Sequence, residues 1–439
     1  MNMEPFQLTA AQAAQAIRSG ALTSEALVRS CLERVADRDA EVRAWLHLDP
    51  ASALKAAREI DKRPVAGPLH GLPLGVKDMI DTGDMPTTFN SPHFQGFQPA
   101  RDAACVAIAR SSGALLFGKT DTVEFASAGR KAATRHPLNV AHTPGGSSSG
   151  SAAAVGDYQV PLALGTQTGG SHIRPASFNG IYALKPTWGA VSREGVKLYS
   201  AMDTVGWFGR SVDDLDLMAQ AYRMHGAGQT LSELPRVTVG LCRSPVWSSI
   251  EPAGERALTT AAQRLRDAGV TVVDFELPPP FDGIRQAHDA ILRGEGRAAF
   301  MNLHLQFGQA LHPDFQAHFK EEGAITPEEI VAGYDLADVC RAQFGALMQD
   351  AGVDVLLTPA STGEAPLGLH STGDHVFNSL WTLMHVPCLA VPCTTGEKGL
   401  PVGVQLVAPR YKDAALIAMA REFAKVIDVE GAPASRTFM

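Results

Sequence analysis

Apolar and polar positions along the chain switch repeatedly between a helical and a strand period. Thr9-Ala10-Ala11-Gln12 has the form of a capping box, which predicts a helix over about 10–19. Leu27, Val28, Cys31, Leu32 and Val35 form an apolar stripe at helical spacing, predicting a second helix from Ser24. Residues 42–48 read as a strand, and Asp49-Pro50 as the N-cap and first position of a third helix. Apolar runs predict buried strands over 72–80, 114–118 and 160–164, with helices over 103–112, 123–128 and 151–155 between them. Further on, helices are predicted over 213–222 and 255–268, and strands over 236–243 and 270–277. Residues 281–350 read as mostly helical, with a capped start at Thr326-Pro327-Glu328-Glu329. Late strands over 353–357, 388–393 and 402–407 precede a final helix over 412–426. Alternation of this kind predicts an α/β layer architecture. No internal repeat, low-complexity tract or linker divides the chain.

The bulk properties narrow the class. A chain of 439 residues with 45% hydrophobic and 19% charged residues can bury a sizeable core and fits a soluble globular enzyme. A net charge of −8 and the absence of any basic block argue against a nucleic-acid partner. Six scattered cysteines without a C-x-x-C pair fit a reducing compartment rather than a disulfide scaffold. The N-terminus lacks the pattern of a signal peptide, and no apolar run approaches the roughly 20 residues needed to span a bilayer. Together these predict a cytoplasmic protein with no membrane partner.

The chemistry concentrates in 145–186, GGSSSGSAAAVGDYQVPLALGTQTGGSHIRPASFNGIYALKP. A buried strand running into Thr168-Gly169-Gly170-Ser171 would deliver a hydroxyl onto a glycine turn with unobstructed backbone N–H groups. Convergent N–H groups are what a developing oxyanion needs. Ser171 is therefore a candidate nucleophile, with the amides of Thr168, Gly169, Gly170 and Ser171 as its oxyanion hole. A serine needs a base within hydrogen-bond reach. No histidine stands in a recognisable partner motif, but Lys77 ends the apolar run Gly71 to Val76. Burial would lower its pKa and leave a neutral amine able to act as a base. The plainer alternative is a strand-edge cation paired with Asp78. Asp121 and Glu124, after the strand over 114–118, read as solvated capping charges.

These segments together resemble the amidase signature family, which combines a G-G-S-S-G-G-S loop, a G-T-D-T-G-G-S-I-R segment and an upstream G-V-K-D lysine. The matching positions are Gly145 to Ser151, Gly165 to Arg174 and Gly75 to Asp78, and the likeness covers most of the chain outside about 225–350. Carried over residue by residue, the family's Ser–cisSer–Lys triad falls on Ser171, Ser147 and Lys77, with a cis peptide expected at Gly146–Ser147. The resemblance implies one large domain over 1–439, a mixed β-sheet covered by helices on both faces. Within it, 1–65 would be a helical flank and 66–225 the catalytic core. Residues 226–350 would form a variable pocket section, and 351–439 the strands and helix that complete the core. Gln167 stands where the family has an acid, which puts an acid–arginine contact with Arg174 in doubt. His172, beside the nucleophile, and Ser148 are further candidates for contact with substrate or support of the triad.

The function this implies is hydrolysis of a small-molecule carboxamide through an acyl-enzyme, with neither cofactor nor metal and homodimerisation as the family's usual assembly. Within the family the alternative is the glutaminase subunit of a tRNA-dependent amidotransferase, and the departures at Gln167 and His172 favour the free-standing enzyme. Two rivals lie outside it. Gly146-Ser147-Ser148-Ser149-Gly150 fits the G-x-S-x-G elbow of an α/β-hydrolase with Ser148 as nucleophile, but 134–144 is polar with two prolines where the elbow needs a strand. A phosphate-binding Gly/Ser loop is the other, and no Walker lysine follows it. His304, His312, His318, His370 and His375 form no metal-binding pattern and read as surface or packing residues.

Overall fold

The computed structural model describes residues 3–197, 201–230, 236–320 and 323–428. Its first section comprises helices α1 (Ala10–Arg18), α2 (Ser24–Val42) and α3 (Pro50–Asp61) and the short strand β1 (Trp45–His47); α2 packs on α3. Thr9 and Gln12 close a reciprocal capping box at the start of α1, and Asp49 accepts from the Ala51 and Ser52 amides at the start of α3. Each cap satisfies backbone donors that a helix start leaves unpaired.

Strand β2 (Pro73–Lys77), helix α4 (Ala104–Ser111) and strand β3 (Leu115–Thr120) follow. Next come α5 (Ser149–Gly156), β4 (Leu162–Gln167), α6 (Ile173–Asn179), β5 (Tyr182–Lys185), β6 (Thr204–Gly209) and α7 (Val212–Ala221). The remainder runs β7 (Thr238–Leu241), α8 (Pro252–Asp267), β8 (Thr271–Asp274), α9 (Ile284–Phe307), α10 (Pro313–Gln316), α11 (Pro327–Asp350) and β9 (Val355–Pro359). It closes with α12 (Val376–Leu383), β10 (Cys388–Thr395), β11 (Pro401–Val407) and α13 (Asp413–Ile427).

The described strands form one mixed eleven-stranded sheet in the order β1-β3-β2-β4-β6-β5-β10-β11-β9-β7-β8. Helices cover both faces in a single domain, as expected. Strands β2, β4 and β9 are buried along their whole length, which explains why they read as apolar runs rather than alternating ones.

Two features of the sheet position the chemistry. β2 pairs with both β3 and β4 in parallel, with Val76 opposite Leu164. The next residues on both strands, Lys77 and then Gly165 to Gln167, therefore emerge side by side at one end of the sheet. Helix α5 is buried on every side and built of small residues, so it packs tightly against this end. A Cβ at Gly150 would lie 2.2 Å from the Ala44 carbonyl oxygen and 2.4 Å from the Asp121 amide. Only glycine fits there.

Several local expectations change. The helix predicted over 123–128 is a single 3₁₀ turn at Glu124–Ala126, where Phe125 and Ala126 hold φ of 49° and 56°. Asp121 and Glu124 are buried rather than solvated. Asp121 accepts from the Thr122 amide and from the Thr134 amide and hydroxyl, and Glu124 pairs with Arg130 at 3.0 Å. The two carboxylates tie down the loop over 121–134. Sequence patterning did not indicate β5, β6, α6 or α12.

Candidate active site

Lys77, the last residue of β2, is fully buried. Its Nζ lies 2.7 Å from Ser147 Oγ, 3.1 Å from Ser148 Oγ and 2.7 Å from Thr166 Oγ1. Burial pulls its pKa down to about 7, against an opposing pull from Asp203. The alternative pairing with Asp78 is not what forms. Asp78 instead meets Lys119 at 3.2 Å and accepts from the Thr88 amide, so among the described residues Lys77 hydrogen-bonds to three hydroxyls and pairs with no carboxylate. A neutral amine there can accept a proton from one hydroxyl while donating to the others.

The Gly146–Ser147 peptide is cis. Ser147 and Ser171 line the same cavity of about 120 Å³, together with Thr168, Gly169, Gly170 and Arg174. Their side chains share no hydrogen bond among the described residues; the link between the two segments is the Ser148 amide donating to the Ser171 carbonyl at 3.3 Å. The carbonyls of the glycine turn point into the protein. Thr168 O accepts from His288 Nε2, Gly169 O from Thr382 Oγ1 and Gly170 O from the Arg174 amide. With the carbonyls so anchored, the turn has a fixed orientation.

The supporting residues fall into place around this centre. Gln167 Oε1 accepts from the amides of His172 and Ile173, and its Nε2 donates to Thr382 Oγ1. It thus caps the start of α6, and among the described residues it shares no hydrogen bond with Arg174. Arg174 donates from Nε to the Thr372 carbonyl and from Nη2 to Gly146 O at 2.6 Å, bracing the loop that carries Ser147.

His172 lies behind the turn rather than in the cavity. It is fully buried, tilted against Phe208, with Nε2 3.0 Å from the Trp207 carbonyl. Burial pushes its pKa down to about 3, so it is neutral. Gly165 and Gly206 leave room for it, since a Cβ on either would come within 2.8 Å of its ring.

Ser148 does not sit on a nucleophile elbow. No strand precedes it, it is fully buried, and its hydroxyl donates to Thr166 O while accepting from the Thr166 amide. It holds Lys77 from behind.

Sequence reasoning missed Thr166, although it lies inside the glycine-turn motif. It also missed the opposite wall of the cavity: Lys131, Leu292, Thr372 and His375, which come from three distant segments without a local pattern. Leu292 lies on α9, within the section expected to shape the pocket. His375, which reads as a surface or packing residue in the sequence, packs over Gly169. His288, Asp289 and His375 offer ligand atoms within 4.8 Å of one another and could hold a metal ion.

Comparison with known proteins places these residues in context. The sequence model of the Amidase family matches residues 26–417. The chain is 33% identical to a glutamyl-tRNA(Gln) amidotransferase subunit of Chloroflexus aggregans, over 97% of this chain and 97% of that protein. Among solved structures, an amidase superposes with a TM-score of 0.84 at 27% identity, covering 94% of this chain and 98% of that one. The peptide amidase of Stenotrophomonas maltophilia superposes at 0.80 with 27% identity, covering 97% and 98%. One expectation is corrected here. The sequence suggested a free-standing or homodimeric enzyme for a small-molecule amide, with no nucleic-acid partner. The Chloroflexus relative is by name part of an amidotransferase that acts on glutamyl-tRNA(Gln), and it matches 97% of this chain. Among the described residues no helix is long and apolar enough to cross a membrane.

Proposed function

The chain belongs to the amidase family, and from that premise we propose that it opens a carboxamide through an acyl-enzyme on Ser171, as the amide-hydrolysing component of a tRNA-dependent amidotransferase. The observation that carries the chemistry is the buried Lys77 amine, 2.7 Å from the Oγ of Ser147, which lines the same cavity as Ser171.

Neutral Lys77 accepts the Ser147 proton as Ser147 takes that of Ser171, and Ser171 Oγ attacks the amide carbon. The oxyanion forms against the amides of the Thr168–Ser171 turn, which are held in place before the reaction. Collapse breaks the C–N bond, and the relay returns its proton to the departing nitrogen, releasing ammonia. Water then attacks the ester, leaving a carboxylate and free Ser171. No metal is needed to balance these steps. For a glutamyl-tRNA amidotransferase the amide would be glutamine, and the ammonia would pass to the reaction of a partner chain.

All six cysteines are buried and none is in a disulfide, which supports a reducing, cytoplasmic setting. Affinity purification from the native host tests the amidotransferase reading. A second chain should accompany this one, and the complex should release ammonia from glutamine and amidate glutamyl-tRNA(Gln). A chain that purifies alone and ignores glutamine would overturn that reading while leaving the acyl-enzyme chemistry standing.

A further inference from the structure

The glycine turn is held from behind by a histidine on α9. His288 is fully buried, and its Nε2 lies 3.0 Å from the Thr168 carbonyl oxygen. A carbonyl only accepts, so Nε2 carries the proton and the tautomer is fixed. His288 Nδ1 then presents a lone pair, and what faces it at 3.5 Å is an oxygen of the Asp289 carboxylate. Two acceptors oppose one another there unless a positive charge lies between them, either a second proton or a metal ion.

A third ligand atom decides between the two. One ring nitrogen of His375 lies within 4.8 Å of the other pair. The His375 ring makes no hydrogen bond among the described residues and stands 5.7 Å from the His288 ring, centroid to centroid. A proton joins one pair of acceptors, whereas two imidazoles and a carboxylate converging on one point suit a divalent transition metal. Tetrahedral ligands about 2.0–2.1 Å from Zn²⁺ stand about 3.3–3.4 Å apart. The separation of His288 Nδ1 and Asp289 Oδ1 is close to that, and a turn of the unbonded His375 ring completes the set. The Thr168 carbonyl on the far side of His288 is the kind of partner that metal-binding imidazoles have on their second nitrogen. Of the permanently charged groups acting on His375, Arg174 opposes a cation, and Asp289 and Asp374 favour one. Asp289 is half exposed and lines a groove of about 420 Å³ between α9 and α11, which gives an ion a way in from solvent.

We propose that His288 Nδ1, the Asp289 carboxylate and one ring nitrogen of His375 bind a divalent transition metal ion of the Zn²⁺ type, with water in the fourth position. Bound there, the ion fastens α9 to the residue that caps the start of α12. Both segments wall the Ser171 cavity, through Leu292, one turn on from His288, and through His375 itself. The ion is also one imidazole away from the Thr168 carbonyl, so it steadies the glycine turn from the side opposite the substrate. Its role is that of a clamp, and no reaction step passes through it. The site does not depend on the acyl-enzyme reading, which Ser171 labelling tests separately.

Zinc titration of the full-length, chelator-treated protein, followed by calorimetry, tests the site. One Zn²⁺ per chain should bind, and excess Mg²⁺ should not displace it, because imidazole ligands disfavour the harder ion. Asp289→Ala, at a half-exposed position where folding is not at stake, should weaken that binding at least about tenfold, and so should His375→Gln. Zn²⁺ at about a hundredfold excess over its Kd should raise the wild-type melting temperature by about 2–5 °C, and at the same concentration should raise that of either variant by less. Failure of the wild type to take up one equivalent at about 0.1 mM Zn²⁺ would overturn the proposal. Equal affinity in the wild type and both variants would overturn it too, by placing the ion elsewhere.

Discussion

Lys77→Met separates the cost of the proposed base from its use. Burial holds the amine at about 7 against an ordinary value of 10.5. One pKa unit corresponds to about 1.4 kcal/mol, so keeping a lysine there costs the fold on the order of 5 kcal/mol at or below neutral pH. Between about pH 7 and 10.5 the unfolded chain holds a proton that the folded chain has released. Stability therefore rises with pH through that window, and the cost vanishes above 10.5. Methionine is close in size and cannot titrate. It forfeits the hydrogen bonds to Ser147, Ser148 and Thr166, at about 1 kcal/mol each, which leaves a net gain of roughly 2 kcal/mol at about pH 7. Urea unfolding at about pH 7 and about pH 9.5 reads this directly: the variant should be the more stable at the lower pH and lose its advantage at the higher. Activity should move the other way, with kcat/KM lower by about 10²–10⁴. In the wild type, kcat/KM should fall about tenfold per unit below about pH 7 as Lys77 takes up its proton. A variant that keeps near-normal activity, or a stability difference that ignores pH, would refute this role for Lys77.

Other substitutions test the surrounding structure. Asp78→Ala should cost about 3–5 kcal/mol in denaturant unfolding, because it leaves the buried Lys119 ammonium without its carboxylate. His172→Ala should cost about 2–4 kcal/mol through the cavity it opens beside Phe208, lowering turnover without abolishing it. Because His172 is held neutral, the same variant should leave the midpoint of the pH–activity profile where it was; a shifted midpoint, or complete loss in a folded protein, would make it part of the relay. Gly150→Ala should destabilise by about 1–3 kcal/mol, since the added methyl meets the Ala44 carbonyl and the Asp121 amide; an unchanged melting temperature would contradict the close approach of α5.

What could be read from the sequence followed from local physics. Capping residues placed the starts of α1, α3 and α11, and apolar runs between turn residues located β2, β3 and β4. The proposed triad positions came from three separated motifs; Ser147 and Ser171 line one cavity, and Lys77 Nζ lies behind it, 2.7 Å from Ser147 Oγ. β5 and β6 were invisible because YALK and TVGWFG are short and mix glycine or lysine into a buried run. Lys185 is fully buried there, its ammonium capped by the carbonyls of Pro186 and Val386, an environment set by the fold. α6 was hidden by Pro175, which usually breaks a helix but is tolerated in its first turn. Asp121 and Glu124 were misjudged because residue type does not reveal which amides converge on a carboxylate. Lys131, Thr372 and His375 reach the cavity from distant loops, and no period links them. The partner question was also beyond the motifs, since Ser–cisSer–Lys residues are common to free-standing amidases and to amidotransferase components.

The central claim is that Ser171 is the nucleophile and that Ser148, despite its elbow-like setting, is not. Intact-mass spectrometry after fluorophosphonate treatment of the wild type, Ser171→Ala and Ser148→Ala tests it most directly. A single adduct is predicted on the wild type and on Ser148→Ala, and none on Ser171→Ala. An adduct that persists in Ser171→Ala, or disappears only in Ser148→Ala, would contradict it.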